Sequence, residues 1–163
     1  MDNTETRAGI SPVRIGIALL ALGTAGIHLY LFLLEGFLGN GEMLPIYQLL
    51  FVGNVFAYAT LAAALLLSPL ARVRSFVRVV LISIAVASIA SYFYVGVLDA
   101  VGHIDKAIEV LLILLVTVDA ATSGAEEDLA GRFAGGATGA AVQLVIGVVV
   151  GMVMFLALTP FMI

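Results

Sequence analysis

Glu109 and His28 are the residues of this chain whose types and surroundings point most directly to chemistry. Glu109 lies in a long apolar stretch, with Asp105 one helical turn before it and Lys106 between them. A carboxylate inside a membrane is costly and is a functional candidate by default. Two ionised acids at i, i+4 also repel. Either a cation sits between them, or Lys106 compensates, or Glu109 keeps its proton. A purely structural reading stands beside these. Both acids open a helix, where the macrodipole favours negative charge and the headgroup region can leave them wet.

His28 is the second candidate. It can bond a backbone carbonyl or a Tyr or Asn on a neighbouring helix and do nothing more. It can relay protons with Glu109 or Glu35, because imidazole titrates near neutrality. It can also ligate a metal or haem, alone or with His103. Two histidines are few for a metal centre, although carboxylates can complete one. His-x-x-x-His, Glu-x-x-His and His-Glu-x-x-His are all absent. Asn54 and Gln48 read first as interhelical glue, and the tyrosines as interface anchors. Asp119 reads as a structural acid paired with Arg74, Arg78 or Arg132.

Such side chains need elements to hold them, and composition says which. Of the 163 residues, 63% are hydrophobic and 11% charged, and the mean hydropathy is +1.20. A bilayer core of roughly 30 Å needs about 20 apolar helical residues to cross it. Five such stretches fit, at about 14–34, 45–67, 76–98, 104–122 and 142–162. They leave no room for a soluble domain. The fold class is therefore all-α, a five-helix transmembrane bundle with a four-helix core plus a C-terminal helix. In lipid every backbone polar group must be paired locally, which favours helices. Runs such as Leu61-Ala62-Ala63-Ala64-Leu65-Leu66-Leu67 lack the alternation of a barrel strand. The apolar run from Arg14 through Leu34 outlasts a signal peptide's core and reads as an uncleaved anchor.

The chain has no cysteine, which removes disulfides, iron–sulfur clusters and thiol nucleophiles. A net charge of −4 argues against nucleic-acid partners. One lysine against six arginines, with pI about 4.9, hints at a GC-rich or salt-adapted prokaryote. Six of the seven bases fall on one side of the proposed topology. The amino terminus is then cytoplasmic, the carboxyl terminus outside, and the location a cell membrane.

The segments Gly26-Ile27-His28-Leu29-Tyr30 and Ile104-Asp105-Lys106-Ala107-Ile108-Glu109-Val110 resemble small polytopic membrane proteins of unknown function from haloarchaea and actinobacteria. The resemblance covers about residues 15–120. It implies a topology and no chemistry.

Within that topology the polar residues fall at similar depth. At 1.5 Å rise per residue, His28, Tyr92 and Glu109 lie roughly 8–9 Å below the outer ends of their spans, and Asn54 about 14 Å. Helical phase groups them into stripes. Thr24, His28 and Glu35 share a face on span 1, and Tyr47, Asn54 and Tyr58 on span 2. Ser88, Tyr92 and Asp99 share one on span 3, and Asp105, Glu109 and Asp119 on span 4. Lipid would penalise each of these groups, so the stripes are expected to face a common interior. On span 5, Gly139, Gln143, Gly147 and Gly151 form a small-residue packing face, for a partner in cis or in trans. The segment 123–138 is acidic and Gly-rich and reads as a flexible loop. Phosphate loops, nucleophile elbows, dinucleotide fingerprints and broken-helix repeats are absent.

The leading expectation is a non-enzymatic subunit or accessory protein with an outward-facing polar pocket for a small ligand, cation or proton. His28, Asn54, Tyr92, Asp105 and Glu109 are its candidate residues. One alternative is a structural partner in a larger membrane complex, docking through the span 5 glycines. The other is a redox-linked protein binding haem, metal or quinone through His28 and possibly His103. The expected partners are the lipid bilayer and other membrane subunits or further copies of the chain.

Overall fold

The computed structural model describes residues 11–38, 43–96, 98–124 and 129–162, without the side chains at 35–37 and 132. Five long helices form, and no strand occurs among the described residues: α1 (Pro12–Leu31), α2 (Pro45–Leu66), α3 (Arg74–Val95), α4 (Ala100–Thr122) and α5 (Gly136–Leu158). Prolines open α1 and α2, where the missing N–H costs nothing and φ is preset for a helix. Gly96 ends α3 at φ +75°, a left-handed cap that a side chain would resist. Asp99 then caps α4, accepting from the Gly102 N–H at 2.6 Å. A π-helical turn, Phe32–Phe37, extends α1.

Four of these helical stretches are long and apolar enough to cross a membrane. The exception is α4, which carries Asp105, Lys106, Glu109 and Asp119. Those four side chains are all buried, while Ile104, Val110, Leu111, Leu114 and Val118 on the same helix are exposed. Thus α4 turns its charges inward and its apolar face outward, the reverse of a helix in water. The outward faces of α1, α2, α3 and α5 are apolar as well.

Helix α4 packs on α1, α3 and α5, α1 on α2, and α3 most extensively on α5. The contact between α2 and α3 is slight, which leaves space between them on the face where α1 and α4 meet. Below that space the core closes around Ile17, Ala21, Ala62, Leu65, Leu81, Leu112 and Val116, all fully or almost fully buried.

One expectation needs correction here. Helix α5 is an integral member of the bundle rather than an appendage to a four-helix core. A Cβ on Gly147 would stand 2.5 Å from Ile82 Cγ2, and one on Gly151 would stand 2.6 Å from the Ser83 carbonyl. Gly139 is pressed against the Phe133 backbone. The glycine face is consumed within the chain, because only glycine lets α5 approach α3 this closely. A docking surface there has nothing left to offer. Part of the segment 123–138 is described. Residues 125–128 lie outside the described residues, but Gly131–Phe133 is a 3-10 turn, Ala134 is buried and α5 begins at Gly136.

Candidate functional site

One end of the bundle holds a buried polar cluster built around Lys106. Its ammonium donates to Ser88 Oγ (2.5 Å) and Glu109 Oε2 (2.7 Å) and forms an ion pair with Asp105 Oδ2 at 2.8 Å. Two of its three N–H groups are thus spent on hydrogen bonds, and its charge meets both carboxylates. Tyr58 in α2 donates to the other Glu109 oxygen at 2.9 Å. Thr24 in α1 donates to Asp105 Oδ1. Glu109 and Tyr58 are wholly inaccessible, and Asp105 is 2% exposed.

His28 completes the cluster from α1. Its Nδ1 lies 2.9 Å from the Thr24 carbonyl, which can only accept, so Nδ1 carries hydrogen. Its Nε2 receives the Asn54 amide at 3.1 Å and faces Asp105 Oδ2 at 3.9 Å. With Asn54 assigned as donor the imidazole is neutral. The cluster then contains two carboxyl groups, one ammonium and a neutral ring.

Above it lies a cavity of about 310 Å³. His28, Asn54, Asp105 and Lys106 form its polar lining, and Ser88 and Ser91 add hydroxyls. The walls are apolar and aromatic, with Phe51, Ile84, Tyr92 and Met154 among them. Tyr47 and Asp99 stand nearer the helix ends, and Tyr47 donates to the Met162 carbonyl at 2.7 Å. A mostly apolar cleft with a few convergent polar groups is the usual form of a small-molecule site.

Four of the five candidate residues thus reach one cavity: His28, Asn54, Tyr92 and Asp105. Glu109 lies just beneath, hydrogen-bonded to Lys106. Tyr92 belongs to the wall. Its hydroxyl lies between the Asp99 carbonyl (3.1 Å) and His103 Nδ1 (3.0 Å), and its ring faces the Lys106 ammonium at 5.9 Å. Asp105 and Glu109 are buried rather than wet, which removes the headgroup reading of the helix start.

His103 does not join His28. It is exposed and bonded to Tyr92 and the Asp99 carbonyl, because two residues along α4 turn it about 200° from Asp105. His28 and His103 are therefore not placed to share a haem or metal. Ligand atoms of His28, Asp105 and Glu109 do lie within 4.8 Å of one another. The Lys106 ammonium already binds both carboxylates, however, and a divalent ion would meet its charge at close range. The relay partner Glu35 has its side chain outside the described residues.

A second cluster closes the opposite end. Asp119 receives Arg78 at 2.6 and 2.8 Å and Arg14 Nε at 3.0 Å. Arg78, only 1% exposed, also reaches Ser123 Oγ and the Ala134 carbonyl. Gln143 donates to the Phe133 and Ala134 carbonyls. Asp119 pairs with Arg78 as anticipated, and additionally with Arg14, which lies 105 residues away in sequence. Arg132, another anticipated partner, has its side chain outside the described residues.

Sequence reasoning missed the centrality of Lys106, although the Asp-Lys-x-x-Glu spacing carries the signal. A lysine at i−3 from an acid shares its helix face. Tyr58 and Thr24 were on the polar stripes but not among the candidates. No family model, curated protein or solved structure matches the chain.

Proposed function

We propose that this is a multi-pass membrane protein that binds a small ligand in the cavity between α2 and α3, reached from the outer face of a cell membrane. It acts as a non-enzymatic subunit or accessory protein. The observation that carries this reading is the polar lining formed by His28, Asn54, Asp105 and Lys106 beneath apolar walls. The arrangement offers hydrogen bonding and charge to one end of a ligand and apolar surface to the rest.

Membrane residence is supported by the apolar outward faces of all five helices. Orientation is supported by the basic residues. Arg14 and Arg78 meet at Asp119 on one end, next to the Arg72–Arg74 turn, whereas the cavity end carries Asp99. The basic end is cytoplasmic by the positive-inside rule. Kinship with the small polytopic proteins of haloarchaea and actinobacteria rests on the His28 and Asp105–Glu109 segments. It adds a topology and no activity.

The test is ligand-dependent stabilisation of the protein in lipid nanodiscs, using small aromatic amphiphiles. Ser91→Phe projects a ring into the cavity and is expected to abolish the stabilisation. Equal stabilisation of the variant and the parent contradicts the reading.

A further inference from the structure

The charges in and below the cavity do not balance, and the imbalance identifies a ligand class. Asp105 and Glu109 bring two carboxyl groups to one ammonium, that of Lys106. Among the described residues, each helix packed around them supplies its own groups. Helix α1 contributes Thr24 and His28, a ring that is neutral while its Nε2 accepts from Asn54; α2 contributes Asn54 and Tyr58, and α3 contributes Ser88 and Tyr92. Helix α5 contains no charged residue. Asp99 adds a further acid to the cavity lining. A buried site tolerates an unmatched charge poorly, so a second positive charge is required, either a proton or a ligand.

The hydrogen-bonding capacity has the same sign. Lys106 spends two donors on Ser88 and Glu109 and pairs its charge with Asp105, and His28 Nδ1 is spent on the Thr24 carbonyl. Asp105 lines the cavity and retains lone pairs beyond those used by Thr24 and Lys106. Asp105 therefore offers the ligand a charged acceptor. Around it stand Phe51, Tyr47 and Tyr92, whose ring faces attract cations.

Taking the proposed pocket as the premise, we infer that its ligand is a hydrophobic ammonium cation, which displaces one proton shared by Asp105 and Glu109. Without ligand, the pair holds the proton and the cluster is neutral with Lys106. On binding, the proton leaves through the cavity to water, and the ammonium nitrogen takes its place beside Asp105. No covalent bond changes, and the net charge of the cluster is conserved. Exchange is one-sided, because the apolar layer of Ile17, Ala21, Leu65, Leu81, Leu112 and Val116 separates this cluster from Asp119.

Benzylammonium, benzyl alcohol and benzoate share a ring and differ in charge, which makes them suitable probes. Each is titrated by calorimetry into the full chain in nanodiscs at pH 7, with proton release followed in weak buffer. The expected result is preference for benzylammonium and release of about one proton per bound cation. Glu109→Gln, which leaves a neutral Asp105–Lys106 pair, is expected to bind it about tenfold more weakly and release none. Preference for benzoate or benzyl alcohol, blocked by Ser91→Phe, overturns the cation inference and leaves the pocket standing. Cation binding without proton release in the parent also overturns the inference. Binding of none of the three overturns both.

Discussion

The Lys106 ammonium lies 2.7 Å from Glu109 Oε2 and lines the cavity beneath which Glu109 is sealed. The two residues sit one turn apart on α4, so the helix itself sets their separation. Everything that enters from the cavity meets Lys106 and Asp105 before it meets Glu109.

That arrangement makes Lys106 the residue whose loss is felt most. Lys106→Met strips from two buried carboxyl groups the ammonium that pairs with both. The expected cost is about 3–5 kcal/mol, the range for breaking a buried pair. Because the remaining acids can be buried only as neutral groups, stability of the variant should recover as pH is lowered. Detergent-unfolding titrations between pH 4 and pH 8, on the order of those limits, check this. A variant as stable as the parent at all pH values contradicts the role given to Lys106.

At the other end, Arg78 and Arg14 share Asp119 but differ in burial. Arg78 is 1% exposed, whereas the Arg14 side chain is 20% exposed. Arg78→Ala should therefore destabilise by about 3–5 kcal/mol, and Arg14→Ala by about 1 kcal/mol or less. Similar losses from the two variants, measured by the same unfolding assay, argue against this division.

Close approach of α5 to α3 is tested by paired glycine substitutions. Gly147→Ala would drive a methyl group into Ile82 and is expected to cost about 1–3 kcal/mol. Gly26 has nothing within 4 Å of its would-be Cβ, so Gly26→Ala should be neutral or slightly stabilising through helix propensity. Equal behaviour of the two in thermal unfolding contradicts the packing described.

Much of this architecture was legible before any coordinates. Apolar length located the helices to within a few residues, except that α5 starts at Gly136 rather than near 142. That start escaped because Gly and Ala at 136–141 have no hydrophobic signature and read equally well as loop. The inward stripes were legible because lipid penalises a polar face, so Thr24, His28, Asn54, Tyr58 and Glu109 had to point at protein. The contacts across helices were not legible. Nothing local pairs Arg14 with Asp119 or seats Lys106 against Ser88, since such pairings depend on rotations and crossings set by the whole bundle.

Absence of cysteine offers a clean test of topology. Ser68 and Leu98 are exposed at opposite ends of α3. A membrane-impermeant maleimide added to intact cells should label Leu98→Cys at once and Ser68→Cys only after lysis. The reverse pattern would invert the orientation and put the cavity on the cytoplasmic side.

The most direct test of the central claim is infrared spectroscopy of the protonated-carboxyl stretch at pH 7, without added ligand. The account predicts one protonated carboxyl per chain from the Asp105–Glu109 pair. It also predicts that Glu109→Gln and Asp105→Asn each abolish that band, since either leaves one acid for one lysine. A parent spectrum with no such band, or a band that survives both substitutions, contradicts it.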